Sequence, residues 1–185
     1  MSDPVQVTSG VPQGSVLGPT LFILFINDIV DCVTNSTIRI FADDTLVYRP
    51  ITNPNDMTIL QTDLDNLFQW GQSNGMLFNA KKSNIVSFGK CLPINNYPIN
   101  YHLGNTPLLT CDTVKYLGVY LSKDNKWNTH IEYVCMKASR ILGLLKNTIS
   151  DAPVAVKLIA YKQLCRPILE YAAGVWDPHI YKIKL

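Results

Sequence analysis

Two adjacent aspartates, Asp43 and Asp44, stand between short runs rich in β-branched and aromatic residues, 38–42 and 45–48. The runs read as strands and the two-residue gap as a tight hairpin turn, which places both carboxylates at its tip. Apolar strands on either side imply that the turn emerges from a buried sheet. There, neighbouring carboxylates repel unless a cation or hydrogen bonds compensate them. Hard oxygen donors in this arrangement suit Mg²⁺, which takes a few carboxylates and fills its shell with water and phosphate oxygens. Asp is also an ordinary turn residue, and a solvated hairpin would carry such a pair without a metal.

The pattern around the hairpin is mixed. Gly18-Pro19 opens a helix over 20–33 that is apolar nearly all round and therefore expected to be buried. Residues 9–18 form the loop leading into it, and Gly10, Gly14 and Gly18 leave a bare backbone that a nucleotide could approach, with Gln13 as an amide donor and acceptor. Asn53-Pro54 starts a further helix, with Met57, Leu60, Leu64, Leu67 and Phe68 on one stripe and Asn74-Gly75 as its stop. Short strands are expected at 76–78, 84–88 and 114–121, with a loop-rich stretch between the last two. Beyond residue 122 the chain turns helical. Thr129 and Glu132 have capping-box spacing, Ile131, Val134, Cys135, Ala138, Ile141, Leu142 and Leu145 form one face, and Pro167 should bend or break a later helix near Arg166.

Charge is unevenly placed: residues 1–78 carry two basic and eight acidic side chains, residues 79–185 fourteen and six. Carboxylates early and cations late fit divalent metal at one end and a phosphate backbone at the other, or two differently solvated surfaces. Only 16% of residues are charged, against roughly 25% in an average soluble domain, which hints at apolar surface meant for partners. Five cysteines without a Cys-x-x-Cys pair argue against a disulfide framework or zinc site and for a reducing compartment. The longest apolar run, 21–26, is too short to cross a membrane. A soluble intracellular protein is expected, in nucleus or cytoplasm.

The segment from Ser9-Gly10-Val11-Pro12-Gln13-Gly14 through Gly18-Pro19 to Asn27-Asp28-Ile29 resembles the motif B loop and helix of reverse transcriptases from non-LTR (LINE-like, jockey-type) retrotransposons. Phe41-Ala42-Asp43-Asp44 resembles their motif C. Trp70, Gly75, Leu77, Asn79, Lys82 and Ser83 are similar to motif D, and Val114-Lys115-Tyr116-Leu117-Gly118-Val119 to the primer-grip motif E. Trp127, His130, Ile131 and the stretch from Tyr171 to Trp176 resemble the thumb. The resemblance implies an α+β fold: a truncated palm of antiparallel strands and helices over 1–121, with motifs B to E, then a mostly helical thumb fragment over 122–185. It implies Mg²⁺-dependent (or Mn²⁺-dependent) phosphoryl transfer, in which a primer 3′-hydroxyl attacks a dNTP paired to an RNA template.

By the same resemblance Asp43 is a direct metal ligand and Asp44 a supporting carboxylate. Gln13, Gly14 and Ala42 bind the dNTP, and Tyr116, Leu117 and Gly118 grip the primer. Lys82, or its neighbour Lys81, faces the departing pyrophosphate, where a lysine stabilises developing charge or donates a proton; a solvated turn lysine is the plainer alternative. Phe41 is expected in the core. Trp127 and Trp176 are either core or base-stacking residues, and Lys137, Arg140 and Lys146 either contact nucleic acid or form a solvated helix face.

One departure stands out. The family's motif A aspartate lies on a strand well upstream of motif B, and only eight residues precede Ser9. The chain is thus expected to be a C-terminal slice of a polymerase, inactive alone, whose partners include the missing fingers and motif A region of a parent polyprotein. Three rival expectations stay open: a noncatalytic retrotransposon relic, a nucleic-acid-binding module without chemistry, and a group II intron-type reverse transcriptase.

Overall fold

In the computed structural model, residues 10–11, 14–89 and 100–176 are described. The chain forms two compact units, Met1–Ser83 with Leu92–Leu109, and Asn84–Cys91 with Thr110–Leu185. Helices mix with small two-stranded sheets throughout.

In the first unit, α1 (Gly18–Ile26) carries Pro19 in its first turn, and the Gly18 amide donates to the Ser15 hydroxyl at 3.1 Å. It tightens into a 3₁₀ segment at Asn27–Cys32 instead of continuing as α-helix to residue 33. The expectation that this helix is buried is overturned: only Gly18, Ile26 and Ile29 are buried along it, while Leu21, Ile23, Leu24 and Phe25 are exposed. Among the described residues the unit supplies apolar partners on one side only. On that side Ile26, Ile29, Val33, Leu67 and Trp70 make the core, with Ile38, Ile40 and Val47 packed against it. Full burial of a side chain such as Ile29 contributes about 1.5–3 kcal/mol.

Strands β1 (Thr37–Phe41) and β2 (Asp44–Tyr48) pair antiparallel, from Thr37 with Tyr48 to Phe41 with Asp44. After them, α2 (Pro54–Ser73) starts and stops where the sequence signals it. Asn53 and Asp56 form a reciprocal capping box, and Asn74 closes the last turn. The Thr52 hydroxyl and amide and the Arg49 guanidinium (2.8 Å) hold the Asp56 carboxyl well below the usual carboxylate range. Fully buried Asp63 on the same helix accepts from the Thr34 amide at 3.2 Å, which ties α2 to the chain entering β1.

No strand forms at 76–78; Met76 and Phe78 instead lie against the core beside Gly71, whose carbonyl accepts from the Met76 amide at 2.8 Å. A short 3₁₀ turn, Ala80–Lys82, follows. The strand expected over 84–88 is reduced to β3 (Asn84–Ile85). Further on, β4 (His102–Leu103) and β5 (Thr106–Pro107) pair as a small hairpin. Gln61 of α2 clamps the His102 backbone, accepting from its amide at 2.9 Å and donating to its carbonyl at 3.1 Å. Gly104 turns that hairpin at φ +60°, where a Cβ would lie 2.4 Å from the Phe68 ring, so glycine serves both the backbone and the close approach.

The chain then passes through β6 (Leu109–Thr110) into the second unit. The single strand expected over 114–121 is in fact a hairpin, β7 (Thr113–Tyr116) and β8 (Val119–Ser122), with Tyr116 opposite Val119. Helix α3 (Asn128–Thr148) begins two residues earlier than Thr129 and Glu132 would dictate. Trp127 occupies the N-cap without a side-chain hydrogen bond, so the expected capping box is not made. Val134 and Ala138 of its apolar face are buried, whereas Cys135 and Leu142 are exposed. Pro167 does not break the chain: α4 (Val154–Ala160) passes through a π-turn, Tyr161–Cys165, into α5 (Arg166–Glu170). The wider turn absorbs the missing proline amide and the ring's clash with the preceding turn. A last short helix, α6, spans Ala173–Trp176.

Candidate active site

The β1–β2 tip differs by one residue from the expected turn. Phe41 pairs with Asp44, so the two turn residues are Ala42 and Asp43, and Asp44 begins β2. Ala42 takes a left-handed conformation at φ +52°, which a small side chain tolerates at some cost. Asp43 and Asp44 are both exposed, and neither carboxylate has a hydrogen-bond or ion-pair partner among the described residues. Phe41, expected in the core, is 62% exposed beside them.

The other residues of the expected site lie on separate elements. Gly14 sits in the loop before α1 at φ +86°, with open space where a Cβ would be. Gln13 lies outside the described residues. Lys82 ends the exposed 3₁₀ turn after α2. Asp28, from the motif B-like stretch, accepts from the indole Nε1 of Trp70, in the motif D-like stretch, at 3.2 Å. That link joins the segments flanking the hairpin on the two sides in sequence.

Tyr116, Leu117 and Gly118 come together in the second unit. Leu117 (φ +45°) and Gly118 (φ +85°) are both left-handed, the geometry of a two-residue hairpin whose turn matches the twist of its strands. Lys115 lies across from Tyr120 and donates to the Tyr133 hydroxyl at 3.2 Å; that contact raises the ammonium's pKa and lowers the phenol's. Sequence reasoning did not single out this Lys–Tyr–Tyr group, because Tyr133 comes from α3, eighteen residues away.

As for a metal, the donors at the β1–β2 tip are of the right type, hard and without competing partners among the described residues. They are only two, however. No group of three or more His, Cys, Asp or Glu that could hold a metal ion occurs among the described residues. The tip can supply part of an Mg²⁺ shell, with the remaining ligands coming from substrate, water or other protein. Among the described residues no helix is long and apolar enough to cross a membrane.

Residues 3–121 match the family model described as reverse transcriptase (RNA-dependent DNA polymerase). Relatives include a probable RNA-directed DNA polymerase from transposon X-element of Drosophila melanogaster, 29% identical over 97% of this chain. The RNA-directed DNA polymerase from mobile element jockey of the same fly is 30% identical over 97%. A retrovirus-related Pol polyprotein from type-1 retrotransposable element R1 of Bradysia coprophila is 26% identical over 92%. The chain spans about a fifth of the length of these relatives: 21%, 21% and 18% respectively. No solved structure matches it. With the family model matching residues 3–121, more than half of its length, the chain belongs to the reverse transcriptase family, among the polymerases of non-LTR retrotransposons.

Proposed function

We propose that this chain is part of an RNA-directed DNA polymerase, contributing the metal-binding hairpin and the primer grip to template-directed addition of dNTPs. The observation that carries the reading is the β1–β2 tip, where Asp43 and Asp44, inside the segment matched by the family, stand exposed and without partners among the described residues. In this reading Asp43 holds Mg²⁺ or Mn²⁺ directly and Asp44 supports it. The metal, when bound, neutralises phosphate charge as a Lewis acid. The chain's own residues align substrates: Gly14, Gln13 and Ala42 beside the dNTP, Tyr116, Leu117 and Gly118 at the primer end. Lys82 meets the charge that develops on the leaving pyrophosphate.

Residues 1–121 act as a partial palm and 122–185 as a thumb fragment. In this reading the palm hairpin takes a further carboxylate from the parent polyprotein, and the 185-residue polypeptide alone is inactive. Primer extension on an RNA template with Mg²⁺ tests this. The longer parent should incorporate dNTPs, Asp43→Asn should abolish incorporation, and the short chain should show none. Incorporation by the short chain that disappears in Asp43→Asn would refute its incompleteness. Steeply salt-dependent binding indifferent to Mg²⁺, with no incorporation by the parent, would favour a binding module.

A further inference from the structure

Leucine is a poor residue for a left-handed turn, because its Cβ crowds the backbone, and such a conformation persists where its surroundings over-determine it. At the β7–β8 tip the surroundings are Tyr171, fifty-four residues on in sequence. Its hydroxyl donates to the Leu117 carbonyl at 2.9 Å. Its ring lies so close to Gly118 that a Cβ there would be 3.0 Å from it. Tyr171 is itself held: its carbonyl accepts from the Trp176 indole at 2.8 Å, and Trp176 meets His130 edge-on at 5.1 Å. His130 then accepts from the Tyr120 amide at 3.3 Å, which returns the chain of contacts to the same hairpin.

Tyr171 is 56% exposed, so burial of its ring does not account for where it lies. A solvent-exposed hydrogen bond also adds little to folding. What the arrangement does fix is the direction of the hairpin tip. We propose that Tyr171, backed by Trp176 and His130, is a positioning residue that sets the Leu117 and Gly118 turn and thereby the nucleic-acid strand terminus resting on it. This inference depends on the assignment of that tip as the primer grip.

The full chain with Tyr171→Phe keeps the ring and removes the hydroxyl. The probe is a DNA primer carrying 2-aminopurine at its 3′ terminus, annealed to an RNA template that leaves the end recessed, with a blunt hybrid alongside. The wild-type chain should change the terminal base's fluorescence on the recessed hybrid. Tyr171→Phe should lose that change and bind about threefold to tenfold more weakly. Amide hydrogen exchange at residues 117–119 should quicken in the variant, with its melting temperature unchanged. A variant that retains wild-type exchange and the wild-type fluorescence change overturns the inference alone. A wild-type chain that gives no terminal-base signal overturns both the inference and the primer-grip assignment.

Discussion

Hairpins β1–β2 and β7–β8 share a plan. Each closes on two residues, and in each the first turn residue is left-handed without being glycine, Ala42 at +52° and Leu117 at +45°. They differ in what meets the tip. Around Asp43 and Asp44 the protein supplies no partner among the described residues, whereas the Leu117 carbonyl is held by Tyr171 and the turn abuts its ring. A tip whose groups are unpartnered is available to outside ligands, and one that is braced keeps its shape without them. In the proposed reading the two hairpins therefore divide the labour of binding charge and of fixing position.

The largest expected effect lies at the unpartnered tip. Asp43→Asn in the parent polymerase should cost on the order of 10³-fold or more in incorporation, yet leave stability within about 0.5 kcal/mol, since no internal contact is lost. A marked drop in melting temperature would show that Asp43 has a structural partner. At the braced tip the order reverses. Gly118→Ala forces a side chain to φ +85° and against the Tyr171 ring, and should lower stability by about 1–3 kcal/mol in urea titration. An unchanged midpoint would mean that the brace yields freely.

A smaller effect separates the units by pH. His130 is buried with Nδ1 accepting from the Tyr120 amide, so the neutral ring fits and burial lowers its pKa below the ordinary 6.5. The unfolded chain then takes up the proton first. His130's contribution to stability is complete above about pH 6.5 and is lost as pH falls through the lower folded value. Asp56, also lowered, keeps its contribution until pH falls below its ordinary 3.8. Between these limits the protection of amides relative to their intrinsic exchange rates should fall around residues 119–134 and not around 53–70, and His130→Gln should remove the difference. The smallest effect has the opposite sign: Ala42→Gly relieves a left-handed alanine and should stabilise by about 0.5–1 kcal/mol. Destabilisation there would mean that the first turn residue is not strained.

The elements legible in sequence were those whose signals are local. Helix α2 announces itself by Asn53-Pro54 and Asn74-Gly75, and the first hairpin by alternation on either side of the aspartates. Its turn was off by one because Asp-Asp reads as a turn pair while Ala42 gives no sign of taking φ +52°. The second hairpin was hidden in a single strand-like run rich in Val, Tyr and Leu, since Leu117 is not a turn residue and is held in place by Tyr171. The α1 helix is apolar all round, but composition does not say whether neighbours cover it. The candidate site came from resemblance at Asp43, Asp44 and the motifs around them. His130, Tyr171 and Trp176 have roles written in partners far away in sequence, which no local pattern reveals.

The π-turn at Tyr161–Cys165 bears on the length of the chain between α3 and the brace. Each residue advances about 100° around an α-helix, so the extra residue of a π-turn rotates everything after it by about that angle. Deleting one residue from the turn would restore regular spacing upstream of Pro167 and swing the end of α5 away from the hairpin. The Tyr171 hydroxyl would then point elsewhere. Residue number in this one turn works as a phase setting, and a single-residue deletion there should uncouple Tyr171 from Leu117 without altering either side chain.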